Sequence, residues 1–527
     1  METPRRQRAY CLAIVIVATI LCHRAAAQPA LVGEMEAAQL LKIKRAWGNP
    51  PALGAWSAAA SAAGAHCCWP YVGCDSARLV TSLALVGINL TGPVPDAVGG
   101  LSSLAHLDVS DNYIDGTFPT VLYRCRSLLY LNLSHNYIGG ELPDDIGHGL
   151  GPNLSTLDLG VNEFNGTIPV SVSMLQNLRY LVLDSNRLTG AIPAELGELT
   201  NLETLWLANN PFHAGELPAS FKNLTNLTKL WAANCSLTGD FPSYLVKMPE
   251  LEQLYLNNNS LTGTIPPGIW GLKKLQRFLV HMNNLTGDLV VDGFAAMSLQ
   301  VIYLSDNNLA GRIPEVFGRL ENLTHLSLFQ NNFTGEIPVS IGHLPSLNIL
   351  LLDINRLNGT LPSELGKHSS TLSVVMVDEN DLIGPIPEGM CARGQLWFFS
   401  ASRNHFNGSI PASLAKCDTL VDLNLGSNQL SGKVPKALWT LGQIEWVILD
   451  NNRLTGSLPV RMPSSLVRLY IGNNQFVGRI PMVAVALLHF IAENNTFSGE
   501  IPANLAYGMP LLQRLNLANN KLSGKIG

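Results

Sequence analysis

The chain reads as an α/β solenoid: short strands stacked coil upon coil into a parallel sheet, helical turns closing the far side, and a helical cap in front. Three observations predict this. Segments of the form LxLxxNxLxGxIP, such as LDVSDNYIDGTFP and LNLGSNQLSGKVP, recur nineteen times. Counted at the Asn slot, most are 24 residues apart, with extremes of 21 and 26. The 527 residues exceed the roughly 250–300 that one core supports, yet only 14% are charged, against roughly 25% in an ordinary soluble domain. A repeated, weakly charged consensus accounts for both.

The first element is a targeting segment. Arg5, Arg6 and Arg8 precede an apolar run from Ala9 to Cys22 and the small residues Ala25, Ala26 and Ala27, the order of a cleavable secretory signal over residues 1–27. A retained membrane anchor is the other reading. The run falls short of the roughly 20 residues a span requires, and no later segment spans a bilayer. The expected location is therefore the secretory pathway and the cell exterior, or the outer face of the plasma membrane if a span follows. Removing the signal takes away four Arg and one Glu, which moves the net charge from −5 to −8. Nucleic acid is then not an expected partner.

Next comes a cap, residues 28–80. In EMEAAQLLKIKRAW, Glu34 to Trp47, the residues Ala37, Leu40, Leu41 and Trp47 fall at helical spacing. In HCCWPYVGCD, Cys67 and Cys74 flank Trp69 and are expected to form a disulfide. Cys68 is left over, read as a small buried thiol with an intermolecular role as the alternative. Cys125, Cys391 and Cys417 are expected to be buried free thiols, and no metal spacing links them.

The repeats fill residues 81–527, the last one incomplete. Within each, the two Leu of LxL point inward at strand period two, so stacking buries them. The Asn amide offers donors and an acceptor to backbone groups turned inward where the strand ends. Cys235 takes this slot once, and Ile88 takes it in the first coil. Gly permits the bend, and Pro, which cannot donate to a ladder, starts the return. Such a period over most of the chain identifies a leucine-rich-repeat solenoid. No coil buries its own leucines, so Leu515, Leu517, Leu522 and Ile526 of the last coil are expected to meet water.

The outward residue between the two Leu marks the middle of the strand face. It runs Trp206, Trp231, Tyr255, Leu279, Tyr303 over five repeats, with Phe329 and Phe398 in adjacent columns. The next outward column holds Asp184, Asp353, Asp378, Asp450 and Glu493. Two readings fit: rings that give a ligand large contact area beside carboxylates that select a partly basic extended chain, or rings that pack on one another across strands. Exposed in a row they form an apolar patch, so Trp206, Trp231, Tyr255, Tyr303, Phe329, Asp353 and Asp378 are the candidate ligand-binding residues.

Fourteen N-x-S/T sequons occur, at Asn89, Asn132, Asn153, Asn165, Asn223, Asn226, Asn234, Asn258, Asn284, Asn322, Asn332, Asn358, Asn407 and Asn494. Most lie outside the central column, so glycans can leave that strip bare. Asn132 lies within it, which argues against ligand binding by the first coils.

Enzymatic function is not expected. GxGxxG over a strand and helix, the HRD and DFG kinase pair, HExxH and CxxC are all missing from the sequence. No cofactor or metal is implied. His106, His281, His325 and His489 stand at outward strand positions, scattered and expected to be solvated.

The signal, the WxYVxC cap and the LxGxIP coil together resemble the extracellular half of plant leucine-rich-repeat receptor kinases. GMCARGQL, SLAKCDTLVDLNLGSNQLSGKVPKALW and the short repeats RLYIGNNQFVGRIP and HFIAENNTFSGEIP are similar to the HAESA branch, which senses small secreted peptides. The resemblance implies a right-handed superhelix whose concave face holds an extended peptide, with a shorter co-receptor joining once it is bound. It also implies a chain cut short before the membrane span and kinase. One departure stands out. Relatives that hold a peptide's terminal carboxylate use an RxR pair, where this chain has Asp422, Leu423 and Asn424. The expected function is therefore peptide recognition by a receptor ectodomain. The alternatives are a truncated receptor relic or secreted decoy, and a secreted inhibitor of cell-wall enzymes.

Overall fold

The computed structural model describes residues 30–57, 65–502 and 504–524. The signal segment and Ile526 lie outside the described residues. The chain divides into two compact units, residues 1–259 and 260–527.

The first unit opens with the helix Ala30–Ala46. Its inward face is Glu36, Leu40 and Ile43, continued by Trp47 just past its end, all buried, spaced at four, three and four residues. Ala37 and Leu41, expected on that face, are half-buried. The strand Val72–Cys74 pairs antiparallel with Val80–Ala84. From there every pairing along the face is parallel and in register, carrying Leu83, Leu107, Leu131, Leu157, Leu181, Leu205, Leu230 and Leu254 side by side. All eight are at most 1% exposed, and at about 1.5–3 kcal/mol per buried Leu this inward row is a main source of cohesion.

The second unit repeats the arrangement from Arg277–Leu279 to Arg514–Asn516, again parallel and in register. After the Asn, short second strands pair as well, five of them consecutively from Ser431–Lys433 to Lys521–Ser523. The Pro that follows caps a 3-10 turn, as Pro435 does for Lys436–Thr440. The Gly before it is favoured by its backbone: Gly311 has φ +74°, a left-handed conformation that strains any L side chain. In the last coil Leu515 is exposed, while Leu517 and Leu522 are half-buried.

The Asn slot does what the sequence implies. Asn331 Oδ1 accepts from the Leu309 N–H of the preceding coil at 2.9 Å. Its Nδ2 donates to Leu304 O, Leu328 O and Phe329 O at 3.0–3.2 Å. Each amide thus joins two coils. Cys235 keeps half of this role: its thiol sits 3.3 Å from Leu207 O and 3.4 Å from Ala233 O. The acceptor it lacks is replaced locally, because Phe212 N–H turns back to Asn210 O at 2.9 Å.

Two cysteine expectations are corrected. Cys391 and Cys417 are bonded to each other, with Cα atoms 5.8 Å apart. Their separation of 26 residues is one coil, and positions one coil apart are neighbours. Cys68 is exposed and bonded rather than a buried thiol. Cys67–Cys74 forms as expected, and Cys125 is a buried free thiol. No helix among the described residues is long and apolar enough to cross a membrane.

Candidate ligand-binding face

Strand register fixes the outward residues. In the first unit Trp206 lies beside Trp231, and Trp231 beside Tyr255. The rings meet edge to face, with centroids 5.3 and 6.4 Å apart and planes at 82° and 87°. All three are half-buried. They do not stand free in solvent as expected: each covers part of its neighbour and leaves the rest open. Packing across the strands is thus present, and it rigidifies each ring without hiding it.

In the second unit Leu279 lies beside Tyr303. Tyr303 carries His281 and His325 at its edges, 5.8 and 6.2 Å away. These imidazoles are half-buried, and burial pulls both pKa values down. His106, stacked 4.1 Å from Tyr130, behaves likewise. His489 accepts or donates at 2.8 Å with the Tyr470 hydroxyl. The expectation of solvated histidines is corrected: strand side chains one coil apart are close enough for an aromatic neighbour to cover the ring.

The carboxylates are also less open than expected. Asp353 is buried with Oδ1 unpartnered, and desolvation with Asp378 nearby pushes its pKa up to about 6. Asp378 Oδ1 receives the hydroxyls of Ser400 and Ser402 and the Ser402 N–H, while its Oδ2 has no partner. Phe329, one coil before Asp353 in the same column, and Phe398, on the other side of the central column, are half-buried. Asp422, at the departure from RxR, is buried and likewise raised to about 6.

Sequence reasoning missed three groups here, Arg468, Trp446 and Tyr470. Arg468 lies 4.4 Å over the exposed Trp446 ring, and both follow Asp422 in strand register. Tyr470 and His489 form the hydrogen-bonded pair above. Reading the first strand column downward would have aligned Asp422, Trp446, Arg468 and His489.

Among the sequons, twelve Asn are exposed, Asn332 is half-buried and Asn132 is buried. The Asn132 Oδ1 already accepts from the Ser134 N–H and hydroxyl.

The family model for leucine-rich repeats matches residues 78–138 and 297–357, its two-copy form matches 176–218 and 225–295, and a single-repeat form matches 419–441. The chain is similar to the Arabidopsis receptor kinase HAESA, solved with the peptide hormone IDA and the co-receptor SERK1: TM-score 0.79, 31% identity, covering 93% of this chain and 91% of that one. It is also similar to the plant peptide hormone receptor RGFR1 in complex with RGF2, with TM-score 0.69 and 28% identity over 83% of this chain and 81% of that one. A stretch of 72 residues is 39% identical to polygalacturonase inhibitor 1 of Oryza sativa subsp. japonica, 13% of this chain and 20% of that protein. The matched stretch thus spans about a fifth of that curated relative.

Proposed function

Because the chain belongs to the leucine-rich-repeat ectodomain family of plant receptor kinases, we propose that it is the extracellular recognition part of a receptor-like kinase, binding a small secreted peptide along its strand face. The observation that carries this is the half-buried row Trp206, Trp231 and Tyr255, three rings held rigid by one another. Rigid aromatics give contact area at low entropic cost. The second unit offers its own set of candidate contacts, Tyr303, Phe329, Asp353 and Asp378, whose carboxylates favour a ligand with basic residues. Residues 1–27 serve as the signal, 28–80 as the cap and 81–527 as the repeats. The exposed sequons carry glycans, and a shorter leucine-rich-repeat co-receptor completes the complex.

The ligand's terminal carboxylate is not held at Asp422 and Asn424, where a buried acid would repel it. The test is capture of a secreted-peptide library by the glycosylated chain. Trp206→Ala with Trp231→Ala is expected to lower capture at least about tenfold, the worth of two ring contacts, with an unchanged circular dichroism spectrum. Undiminished capture would refute the site.

The similarity to a polygalacturonase inhibitor supports one other reading, a secreted inhibitor of cell-wall enzymes. Inhibition of a fungal polygalacturonase at stoichiometric concentration, without peptide capture, would select it.

A further inference from the structure

Away from the strand face, the second unit brings together two imidazoles and a carboxylate that ligand recognition does not use. His343 closes the 3-10 turn Val339–His343. Glu364 and His368 sit one coil later, four residues apart in the turn after Pro362. One donor atom from each lies within 4.8 Å of the other two. The two imidazole rings are stacked, with centroids 5.0 Å apart and planes at 26°.

We propose that His343, Glu364 and His368 form a binding site for a divalent transition metal, with zinc the ion that fits best, joining two successive coils on the helical-turn side.

Three features of the geometry support it. His368 Nε2 and Glu364 Oε2 are 3.3 Å apart. Two ligands about 2.0–2.1 Å from a tetrahedral ion lie about 3.4 Å from each other, so this pair already spans one edge of the polyhedron. His343 Nδ1 lies 3.3 Å from Val339 O. A proton on that nitrogen points its Nε2 lone pair outward, which is how ligating histidines are oriented by a backbone carbonyl. His368 presents its lone pair at Nε2 when its proton sits on Nδ1, and a neutral imidazole adopts that tautomer at no charge cost. His343 and His368 are exposed and Glu364 half-buried, so the first imidazole can close the remaining gap by side-chain rotation alone.

Donor chemistry selects the ion. Two nitrogens and one oxygen suit zinc, copper and nickel, whereas magnesium and calcium take oxygen ligands. Three protein ligands leave a fourth position for water or for a group from another molecule. Lys367 Nζ lies 2.7 Å from Glu364 Oε1, the other oxygen of the same carboxylate. Its charge opposes the incoming cation and holds affinity down. Because the ligands come from neighbouring coils and meet only in the folded chain, bound metal stabilises the fold, and the stabilisation rises with the logarithm of metal concentration above Kd.

The test uses the purified chain after removal of metal with a chelator. Calorimetric titration with zinc chloride is expected to show one specific site, and cobalt(II) is expected to give the intense visible bands of tetrahedral coordination. His343→Ala with His368→Ala should weaken zinc binding at least about tenfold, abolish the cobalt bands and remove the zinc-dependent rise in melting temperature. Glu364→Gln, which preserves shape, should weaken it in the same direction, and Lys367→Met should strengthen it. Absence of zinc uptake by the unaltered chain, or equal uptake and unchanged cobalt bands in the double variant, would overturn the assignment. Peptide capture is read separately, so loss of the metal site leaves the recognition reading standing.

Discussion

The two units place different chemistry on one scaffold. In the first, the middle of the strand face is the ring row Trp206, Trp231 and Tyr255. In the second, aromatic groups are spread among acids and bases: Tyr303 between two histidines, Asp353 beside Asp378, Arg468 over Trp446. Beneath both runs an inward apolar register, leucine throughout in the first unit and leucine mixed with residues such as Phe278, Ile302 and Val375 in the second, with the same amide bridge. Cohesion is therefore carried by side chains facing inward, and outward residues are free to vary in kind without altering the coil. Recognition can be rewritten coil by coil.

Breaking the shared scaffold should give the largest effect. Asn331→Ala leaves the Leu309 N–H without its acceptor and takes one donor from each of Leu304 O, Leu328 O and Phe329 O, which keep Asn307 Nδ2, Asn355 Nδ2 and the Asp306 N–H. The expected cost is about 3–5 kcal/mol, about 1–3 for the orphaned donor and about 0.5–1.5 for each of the three lost bonds, measured by urea denaturation. Cys391→Ser with Cys417→Ser removes a closure of 26 residues and is expected to cost about 3 kcal/mol. Hydrogen exchange should place that loss in the second unit, leaving the first protected.

The outward chemistry should instead be legible through pH. Asp158 in the first unit is raised to about 7, chiefly by burial, and Asp353 in the second to about 6. A carboxyl whose folded pKa lies above its unfolded value near 4 favours the fold when protonated. That contribution is complete below about pH 4 and is lost as pH rises through the folded pKa. Asp158→Asn should thus stabilise the chain at pH 7.5 by about 1–2 kcal/mol after allowance for relaxation, with the gain vanishing near pH 4. Asp353→Asn should show the same sign with its midpoint about one unit lower. Opposite slopes in thermal melts would break the account.

The smallest effect concerns the residue before each Asn, which is left-handed in coil after coil. Val161 and Ile354 hold φ +52° there, a costly conformation for branched side chains. Ile354→Asn should raise stability by about 1 kcal/mol, read as a shift in the urea midpoint.

Much of this was legible in the sequence because it is periodic. Leu107 and Leu131 announce their burial by spacing, Asn331 its bridge by recurrence, and Cys67 with Cys74 their bond by proximity. What escaped depends on neighbours one coil away, which linear reading separates by two dozen residues. Cys391 and Cys417 are of this kind, as are Arg468 over Trp446 and the half-cover that one tryptophan gives the next. Glu36 escaped for another reason. A charged residue on a buried helical face is legible only once Val80 N–H, its partner, is seen beside it.

In-register pairing sets a ruler against any chain laid across the strands. Neighbouring strands are spaced about 4.8 Å apart, while an extended peptide advances about 3.3 Å per residue. Three ligand residues therefore pass for every two coils, so the same kind of side chain returns to an equivalent position only on that longer beat. A guest written in threes would keep step with this face, and one shifted by a single residue would fall out of phase along its whole length.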